Sequence, residues 1–156
     1  SDNAWVSGNA RVSGDACVFG DARVSDKARV SGNARVSGDA CVSGDARVSG
    51  NARVSGDAGV SGDARVSDNA RVSGNARVSD DALVSGNAYV YGIMRSDGYC
   101  FTYLPCEDGE WRVIAGCRYF TMKEAREHWN DHKKQKETNV ILDCLEALRT
   151  VKPDGV

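Results

Sequence analysis

The sequence is poor in histidine and in long apolar runs, and each shortage excludes a class of function. Only two histidines occur, and both lie near the C-terminus, at His128 and His132. No apolar run approaches the length of a transmembrane helix, and no charged and then apolar signal segment opens the chain. We therefore expect a cytoplasmic protein that has no membrane partner.

An excess of basic residues is also lacking. Lysine and arginine number 20 against 22 aspartate and glutamate residues, which gives a formal net charge of −2. The balance is even along the chain, since residues 1–92 and 93–156 each hold ten basic and eleven acidic residues. A nucleic-acid-binding domain usually concentrates positive charge, so nucleic acid is not an expected partner.

Paired cysteine motifs are missing as well. The chain has six cysteines, too few and too unevenly placed for a disulfide-stapled secreted domain, and we expect reduced thiols at Cys17, Cys41, Cys100, Cys106, Cys117 and Cys144. The three cysteines between residues 100 and 117 and the two histidines could be considered as metal ligands. Their spacings match no zinc module, and no Cys-x-x-Cys pair occurs. The sequence therefore predicts no metal and no other cofactor.

What is abundant is one six-residue phrase, Asn/Asp-Ala-x-Val-Ser-Gly, which is repeated fifteen times from Asn3 to Gly92 without an insertion or deletion. Alanine and valine alternate with a variable residue, as in Ala34-Arg35-Val36, which indicates a short strand with one buried face. The Ser37-Gly38-Asp39 triplet that follows is typical of a turn. Each phrase thus predicts a three-residue strand and a corner, and successive phrases must stack to bury anything.

Read from its valine, the phrase resembles a known repeat. The stretch from Val36 to Cys41 is similar to the hexapeptide repeat of left-handed parallel β-helices, with an aliphatic residue first and a small residue fifth. The resemblance implies a triangular solenoid with 18 residues per coil, hence about five coils. We predict a mainly β protein: a left-handed parallel β-helix over residues 1–92 and a small C-terminal α+β cap over residues 93–156.

With three phrases per coil, the outward residues fall into three columns. The first column is Trp5, Arg23, Cys41, Gly59 and Arg77; the second is Arg11, Arg29, Arg47, Arg65 and Leu83; the third is Cys17, Arg35, Arg53, Arg71 and Tyr89. The arginines of the second and third columns are candidate binding residues for an anionic ligand or partner, because guanidinium groups suit phosphates and carboxylates. The alternative is a solvated face that corner aspartates neutralise. One corner column is all asparagine, and we predict a structural amide ladder at Asn33, Asn51, Asn69 and Asn87.

The remaining residues are aperiodic and predict mixed α and β structure. A hairpin is expected from strands at 93–95 and 99–104 around a Ser-Asp-Gly turn, followed by a strand at Trp111–Ala115 that continues through 117–120. Thr121 and Glu124 form a capping-box pattern at the start of a helix over 122–131. A basic loop at 131–137 and a second helix over 139–151 complete the prediction.

The cap also carries a resemblance. Residues 116–129 and the Arg-Ser-Asp-Gly-Tyr stretch at 95–99 resemble the C-terminal cap of bacterial and phage hexapeptide-repeat proteins that are often labelled acyltransferases. The resemblance brings no agreed activity. We expect structural roles for its signature residues, which are Gly116, Arg118, Phe120, Thr121, Glu124, Ala125, His128 and Trp129.

Known enzymes on this scaffold need groups that the array lacks. Left-handed β-helix acyltransferases generally use a histidine base and an inserted loop, and γ-class carbonic anhydrases use three histidines on zinc, whereas the array has no histidine and no insertion. We predict no catalytic residues and interpret His128 as a packing residue. The predicted function is a structural or binding solenoid for protein interaction or self-assembly. The alternatives are an acyltransferase completed by N-terminal residues or trimer partners, and an anion- or nucleotide-binding oligomer.

Self-association is a separate hypothesis. Apolar residues stand where solvent-facing residues are expected, and the first coil presents an open strand edge unless further repeats or another subunit cover it. We therefore predict a homo-oligomer or a protein partner, with contacts through Trp5, Phe19 and Leu83.

Overall fold

A computed structural model of the chain describes residues 3–106, 108–116 and 118–149. The array consists of very short strands, one in each phrase. They are β1 (Trp5–Val6), β2 (Arg11–Val12), β3 (Cys17–Val18), β4 (Arg23–Val24), β5 (Arg29–Val30), β6 (Arg35–Val36), β7 (Cys41–Val42), β8 (Arg47–Val48), β9 (Arg53–Val54), β10 (Gly59–Val60), β11 (Arg65–Val66), β12 (Arg71–Gly74), β13 (Arg77–Val78) and β14 (Leu83–Val84). The cap follows with β15 (Tyr89–Met94), β16 (Cys100–Pro105), β17 (Trp111–Ala115), β18 (Arg118–Phe120), α1 (Met122–His128) and α2 (Gln135–Leu148).

Each array strand pairs in parallel with the strand three phrases further on. Val24 pairs with Val42, and Val36 with Val54, so one coil spans 18 residues. Three sheets result, and we name them by their array strands: face 1 (β1, β4, β7, β10, β13), face 2 (β2, β5, β8, β11, β14) and face 3 (β3, β6, β9, β12, β15). The prediction of a parallel β-solenoid with about five coils is confirmed. The left-handed sense of the coil stays a prediction.

Most of these strands have two residues, where three were predicted. The alanine belongs to the corner instead, because its N–H donates to the serine carbonyl of the preceding phrase, as from Ala52 to Ser49 at 3.3 Å and from Ala28 to Ser25 at 3.2 Å. This hydrogen bond closes a tight turn and removes alanine from the strand ladder. The side chain still points inward, so the interior pattern is unchanged.

The interior of the array holds only the repeated alanines and valines. Every repeat valine from Val24 to Val90 is fully buried, and the outward residue beside it is exposed or half-buried. At the corners, glycines such as Gly38 have a positive φ. Aspartate replaces glycine at Asp26 and Asp68, where its carboxylate accepts the N–H of the residue one coil further on, at 3.1 and 3.0 Å. That bond offsets the cost of the left-handed backbone.

The array ends where the chain stops turning at a corner. β12 and β15 stay in register as far as Gly74 and Gly92, but Gly74 has a φ of 63° whereas β15 runs on through Ile93 into an antiparallel hairpin with β16. The sequence change is plain at this point, because Gly92 is followed by Ile93 and Met94 instead of Asn/Asp-Ala. The single sheet of face 3 therefore continues into β16, β17 and β18 of the cap.

Strand β16 lies across the end of the solenoid and covers its last coil. The hydroxyl of Thr102 accepts the otherwise unpaired N–H of Arg77 at 2.9 Å, and Cys106 forms a β-bridge with Ala82. Leu104 and Ile114 pack against the valine core of the array. Both the strand edges and the apolar interior at this end are thus covered by cap residues.

A second core holds the cap together. Phe101 and Trp129 meet edge to face with ring centroids 5.0 Å apart, and Ala125 and Leu142 of the two helices pack against them. The predicted capping box is confirmed, since the Thr121 hydroxyl accepts the Glu124 N–H and the Glu124 carboxylate accepts the Thr121 N–H.

Three boundaries of the cap differ from the predictions. The chain reverses at Gly116, which has a φ of 63°, so β18 runs antiparallel to β17 instead of continuing it. Helix α1 ends at His128, three residues early. Helix α2 begins at Gln135, four residues early, because the Lys134 carbonyl accepts both the N–H and the hydroxyl of Thr138 and so winds the first turn. Cys117 and the predicted helix end at residue 151 lie outside the described residues, and the predicted division of the chain at residue 92 stays a prediction.

Candidate functional site

The outward columns lie in the register that the sequence predicts. On face 2 Arg11, Arg29, Arg47 and Arg65 stack in successive coils and end at Leu83, and on face 3 Arg35, Arg53 and Arg71 stack and end at Tyr89. Because parallel strands in a sheet lie about 4.8 Å apart, each column presents a row of guanidinium groups at that spacing. The structure brings the candidate binding residues together as two separate rows, one on each face.

The two rows have different neighbours. Beside the face 2 arginines runs the corner column Lys27, Asp45, Asp63 and Asp81, and both columns line a shallow groove of about 290 Å³. Within the part of the chain that the structure describes, no carboxylate lies within 4.0 Å of Arg29, Arg47 or Arg65. The aspartates therefore offset the charge of face 2 at longer range, without fixed ion pairs.

Face 3 runs beside the asparagine ladder. The Asn33 amide donates to Asn51 at 3.3 Å, Asn51 to Asn69 at 3.2 Å, and Asn69 to Asn87 at 3.3 Å. The predicted structural ladder is confirmed. Its side-chain amides are neutral, so the arginine row of face 3 has no acidic column on this side.

The cap end of the face 3 row is aromatic. The rings of Tyr89 and Tyr91 lie 4.7 Å apart, and the Arg71 guanidinium lies over the Tyr89 ring at 5.7 Å from its centroid. A hydrogen bond from Tyr91 lowers the pKa of the Tyr89 phenol, and Arg71 and Arg53 lower it further. That shift reports a positive local potential, and the ring contact holds Arg71 in place.

A cleft of about 400 Å³ lies where the array meets the cap, and sequence reasoning missed it. Its key residue is Tyr119, whose hydroxyl lies 2.6 Å from the Ser79 carbonyl and 2.8 Å from an Asp80 carboxylate oxygen. Burial raises the pKa of Tyr119, so the phenol stays protonated and serves as a donor. The lining residues are Asp80, Asp81, Ala82, Cys106, Asp108, Arg112 and Tyr119.

The charges in this cleft are largely used within the protein. Arg112 forms an ion pair with Asp108 and lowers the pKa of that carboxyl group, while Asp80 accepts from Tyr119 and from Ser79. The signal in the sequence was weak, since Tyr119 is separated from Ser79 by forty residues. The contacts attach the cap to one corner of the last full coil.

The cap signature residues form one packed cluster. His128 stacks on Phe120 at 5.0 Å, meets Trp129 edge to face at 4.7 Å, and contacts Arg118 through Nε2 at 3.2 Å. Gly116 leaves room for the Tyr99 hydroxyl, which donates to the Ala115 carbonyl at 3.0 Å. These contacts agree with the structural role that we expect for the signature.

The turn at 95–99 is attached to α2 by a buried charge. Arg95 is only 4% exposed, binds both carboxylate oxygens of Asp97 at 2.9 and 2.8 Å, and donates to Thr138 at 3.0 Å. Glu137 accepts from the N–H and hydroxyl of Ser96 at 2.6 and 2.7 Å, and those bonds lower its pKa. A sequence motif that seemed to mark only a hairpin turn therefore also positions a helix.

The remaining candidates are scattered. Among residues 3–106, 108–116 and 118–149, no group of three or more potential ligand side chains is arranged for a metal ion. The proposed oligomer contacts Trp5 and Phe19 are 64% and 43% exposed, whereas Leu83 is half-buried. Within the described part of the chain, no helix is long and apolar enough to cross a bilayer.

An uninterrupted parallel coil with ladders on its sides and a covered end defines a β-solenoid repeat protein. A family model described as YdcK Beta solenoid repeat matches residues 4–18, 28–45, 46–62, 64–79 and 76–92, about half of the chain. The chain belongs to this family. No curated protein and no solved structure matches it. The matched ranges stop at residue 92, so the resemblance of the cap to acyltransferase-labelled proteins stays a prediction.

Proposed function

We propose that this protein is a non-catalytic, rigid binding module that presents rows of arginine to a partner bearing oxyanions. The carrying observation is the register of the outward columns, which turns single arginines at 18-residue intervals into continuous rows on faces 2 and 3. Their backbones are fixed by the stacked coils, so little ordering of the main chain is needed on binding. Preorganisation of this kind favours affinity.

The contacts of the two histidines support a non-catalytic role. His128 is engaged by Phe120, Trp129 and Arg118, and Nδ1 of His132 accepts the N–H of Lys134 at 3.0 Å. The array itself contains no histidine. A histidine base for acyl transfer would need a free ring nitrogen facing a substrate groove. We expect acetyl-CoA to leave the melting temperature unchanged, and a clear rise would support the acyltransferase alternative.

The binding proposal is tested with polymers of opposite charge. Poly-L-glutamate and inorganic polyphosphate should bind the intact chain at low ionic strength, poly-L-lysine should not, and binding should weaken as salt is added. A variant in which the exposed arginines of both rows are replaced by serine should lose this binding and keep its circular dichroism spectrum. The substitutions are Arg29→Ser, Arg35→Ser, Arg47→Ser, Arg53→Ser and Arg65→Ser. Failure of both polyanions to bind would overturn the proposal.

Self-assembly is a second candidate, favoured by the exposure of two large apolar side chains. Trp5 projects from face 1 and Phe19 from a nearby corner. Such residues are common at protein interfaces. We expect light scattering to show a concentration-dependent oligomer that Trp5→Ser together with Phe19→Ser dissociates. A monomer at every concentration would contradict this candidate and leave the arginine rows unaffected.

A further inference from the structure

We propose that face 3, and not face 2, binds a linear polyphosphate chain along the solenoid axis through Arg35, Arg53 and Arg71. This inference rests on the proposed function and names both the face and the ligand chemistry. Three features of face 3 carry it: the composition of its neighbouring corner, the spacing of its rungs and the aromatic contact at its cap end.

The first feature is charge balance. Each arginine of the face 3 row follows an asparagine by two residues, as Arg53 follows Asn51, whereas Arg47 and Arg65 of face 2 follow Asp45 and Asp63. The asparagines bond to each other along the ladder and carry no charge. An anion approaching face 3 over this corner meets guanidinium groups without the repulsion of a carboxylate column, so the local field favours it.

The second feature is spacing. Neighbouring coils lie about 4.8 Å apart, whereas side chains on one face of an extended peptide recur only every 6.7 Å or so, about twice the rise per residue. Carboxylates on such a peptide would fall out of step with the row within three rungs. A linear polyphosphate carries an anionic oxygen on every phosphoryl unit, so it can place one against each guanidinium. Arginine binds phosphate oxygens with two parallel N–H donors.

The third feature lies at the cap end of the row. Arg71 is half-buried and lies over the Tyr89 ring, which in turn stacks near Tyr91. The contact limits the conformations of this guanidinium before a ligand arrives, and so reduces the ordering cost of binding. Face 2 ends instead at Leu83, which has no polar group to offer.

Two matched variants test the assignment. One is Arg35→Gln with Arg53→Gln on face 3, and the control is Arg47→Gln with Arg65→Gln on face 2. Both remove two positive charges from exposed positions of the same kind, and Arg71 is kept because it packs on Tyr89. Affinity for medium-chain sodium polyphosphate is measured by titration calorimetry at about 0.1 M salt, where charges more than about 10 Å apart are largely screened.

We expect the face 3 variant to bind polyphosphate about tenfold more weakly, since two charge-assisted contacts are lost, and the face 2 variant to lose less than about threefold. Equal losses would overturn the assignment to face 3. Poly-L-glutamate binding as tightly as polyphosphate would overturn the ligand class while the proposed function stands. Binding of neither polymer would overturn both. Unchanged melting temperatures of the two variants would confirm that folding is not the cause.

Discussion

The array and the cap solve the problem of folding in opposite ways. In the array every valine has the same surroundings as the valine one coil away, so no single position is unique. In the cap each contact occurs once, as with Arg95 between Asp97 and Thr138, or Tyr119 against Ser79. Identical coils leave the register of stacking weakly specified, because a slip of one coil keeps every valine inside. The unique contacts of the cap remove that ambiguity.

The comparison is broken most completely by removing one region. Deletion of residues 93–156 would expose the edges of β13, β14 and β15 together with the valine core under Leu104 and Ile114. Uncovered strand edges template aggregation. We expect loss of soluble folded protein, assayed by size-exclusion chromatography and circular dichroism.

The matched control removes one whole coil, residues 39–56, and keeps the cap. Because 18 residues are one full turn, all columns stay in register. This variant should remain folded with lower stability, since solenoid stability is roughly additive along the axis. A soluble folded array without the cap would contradict the role assigned to β16.

How far the sequence predicts this molecule follows the same division. Periodicity alone places Arg35 on Arg53 and Asn51 on Asn69, because the repeat length determines which residues meet. Local rules also suffice for the capping box at Thr121 and for strand β17.

What the sequence does not predict depends on packing between distant residues. The burial of Arg95 requires Thr138, which lies 43 residues away, and the early start of α2 follows from that attachment. The cleft around Tyr119 likewise needs a contact across forty residues. No periodic or local rule determines such pairs. The arginine rows were predicted, but their different surroundings are apparent only once the corners are seen beside them.

The next largest effect is expected at Gly92, where the array becomes the cap. A methyl group on Gly92 would overlap the backbone of Asn75 and Ala76 in the coil below, although its φ is not positive. Backbone atoms cannot rotate away, so Gly92→Ala should destabilise the protein by about 3 kcal/mol, the upper end for overpacking. Urea denaturation measures the change in unfolding free energy.

Gly86 is the control for this substitution. It has a φ of 64°, and an added methyl group would meet nothing within 4 Å. Gly86→Ala should therefore cost only about 1 kcal/mol, for the left-handed backbone alone. Equal costs at the two glycines would show that the crossing below Gly92 is not tight.

A pH-dependent effect is expected at Asp97. Its bonds from Arg95 lower its pKa from 3.8 to about 2. A depressed folded pKa means that the ionised group stabilises the fold above the unfolded pKa of 3.8, and that this contribution is lost as the pH falls through about 2. Asp97→Asn should therefore lower the melting temperature at pH 7, and the two proteins should converge near pH 2.

Asp131→Asn serves as the control, because Asp131 is exposed and has no side-chain partner among the described residues. It should leave the melting temperature unchanged at pH 7. A constant gap between Asp97→Asn and the parent protein from pH 7 to pH 2 would show that the Asn variant acts through packing and not through charge.

The smallest effect is expected in the asparagine ladder, and it sharpens the comparison most. Asn51→Ala removes one bond from Asn33 and one to Asn69 on an exposed corner, so it should cost about 1 kcal/mol in total. Asp57→Ala, at the equivalent corner of face 1, should cost less than about 0.5 kcal/mol, because no described residue bonds to the Asp57 side chain. If the ladder is made of equal rungs, Asn69→Ala will match Asn51→Ala by urea denaturation. Different costs at Asn51 and Asn69 would show that the cap stabilises the coils nearest to it, and that the array is less uniform than its sequence.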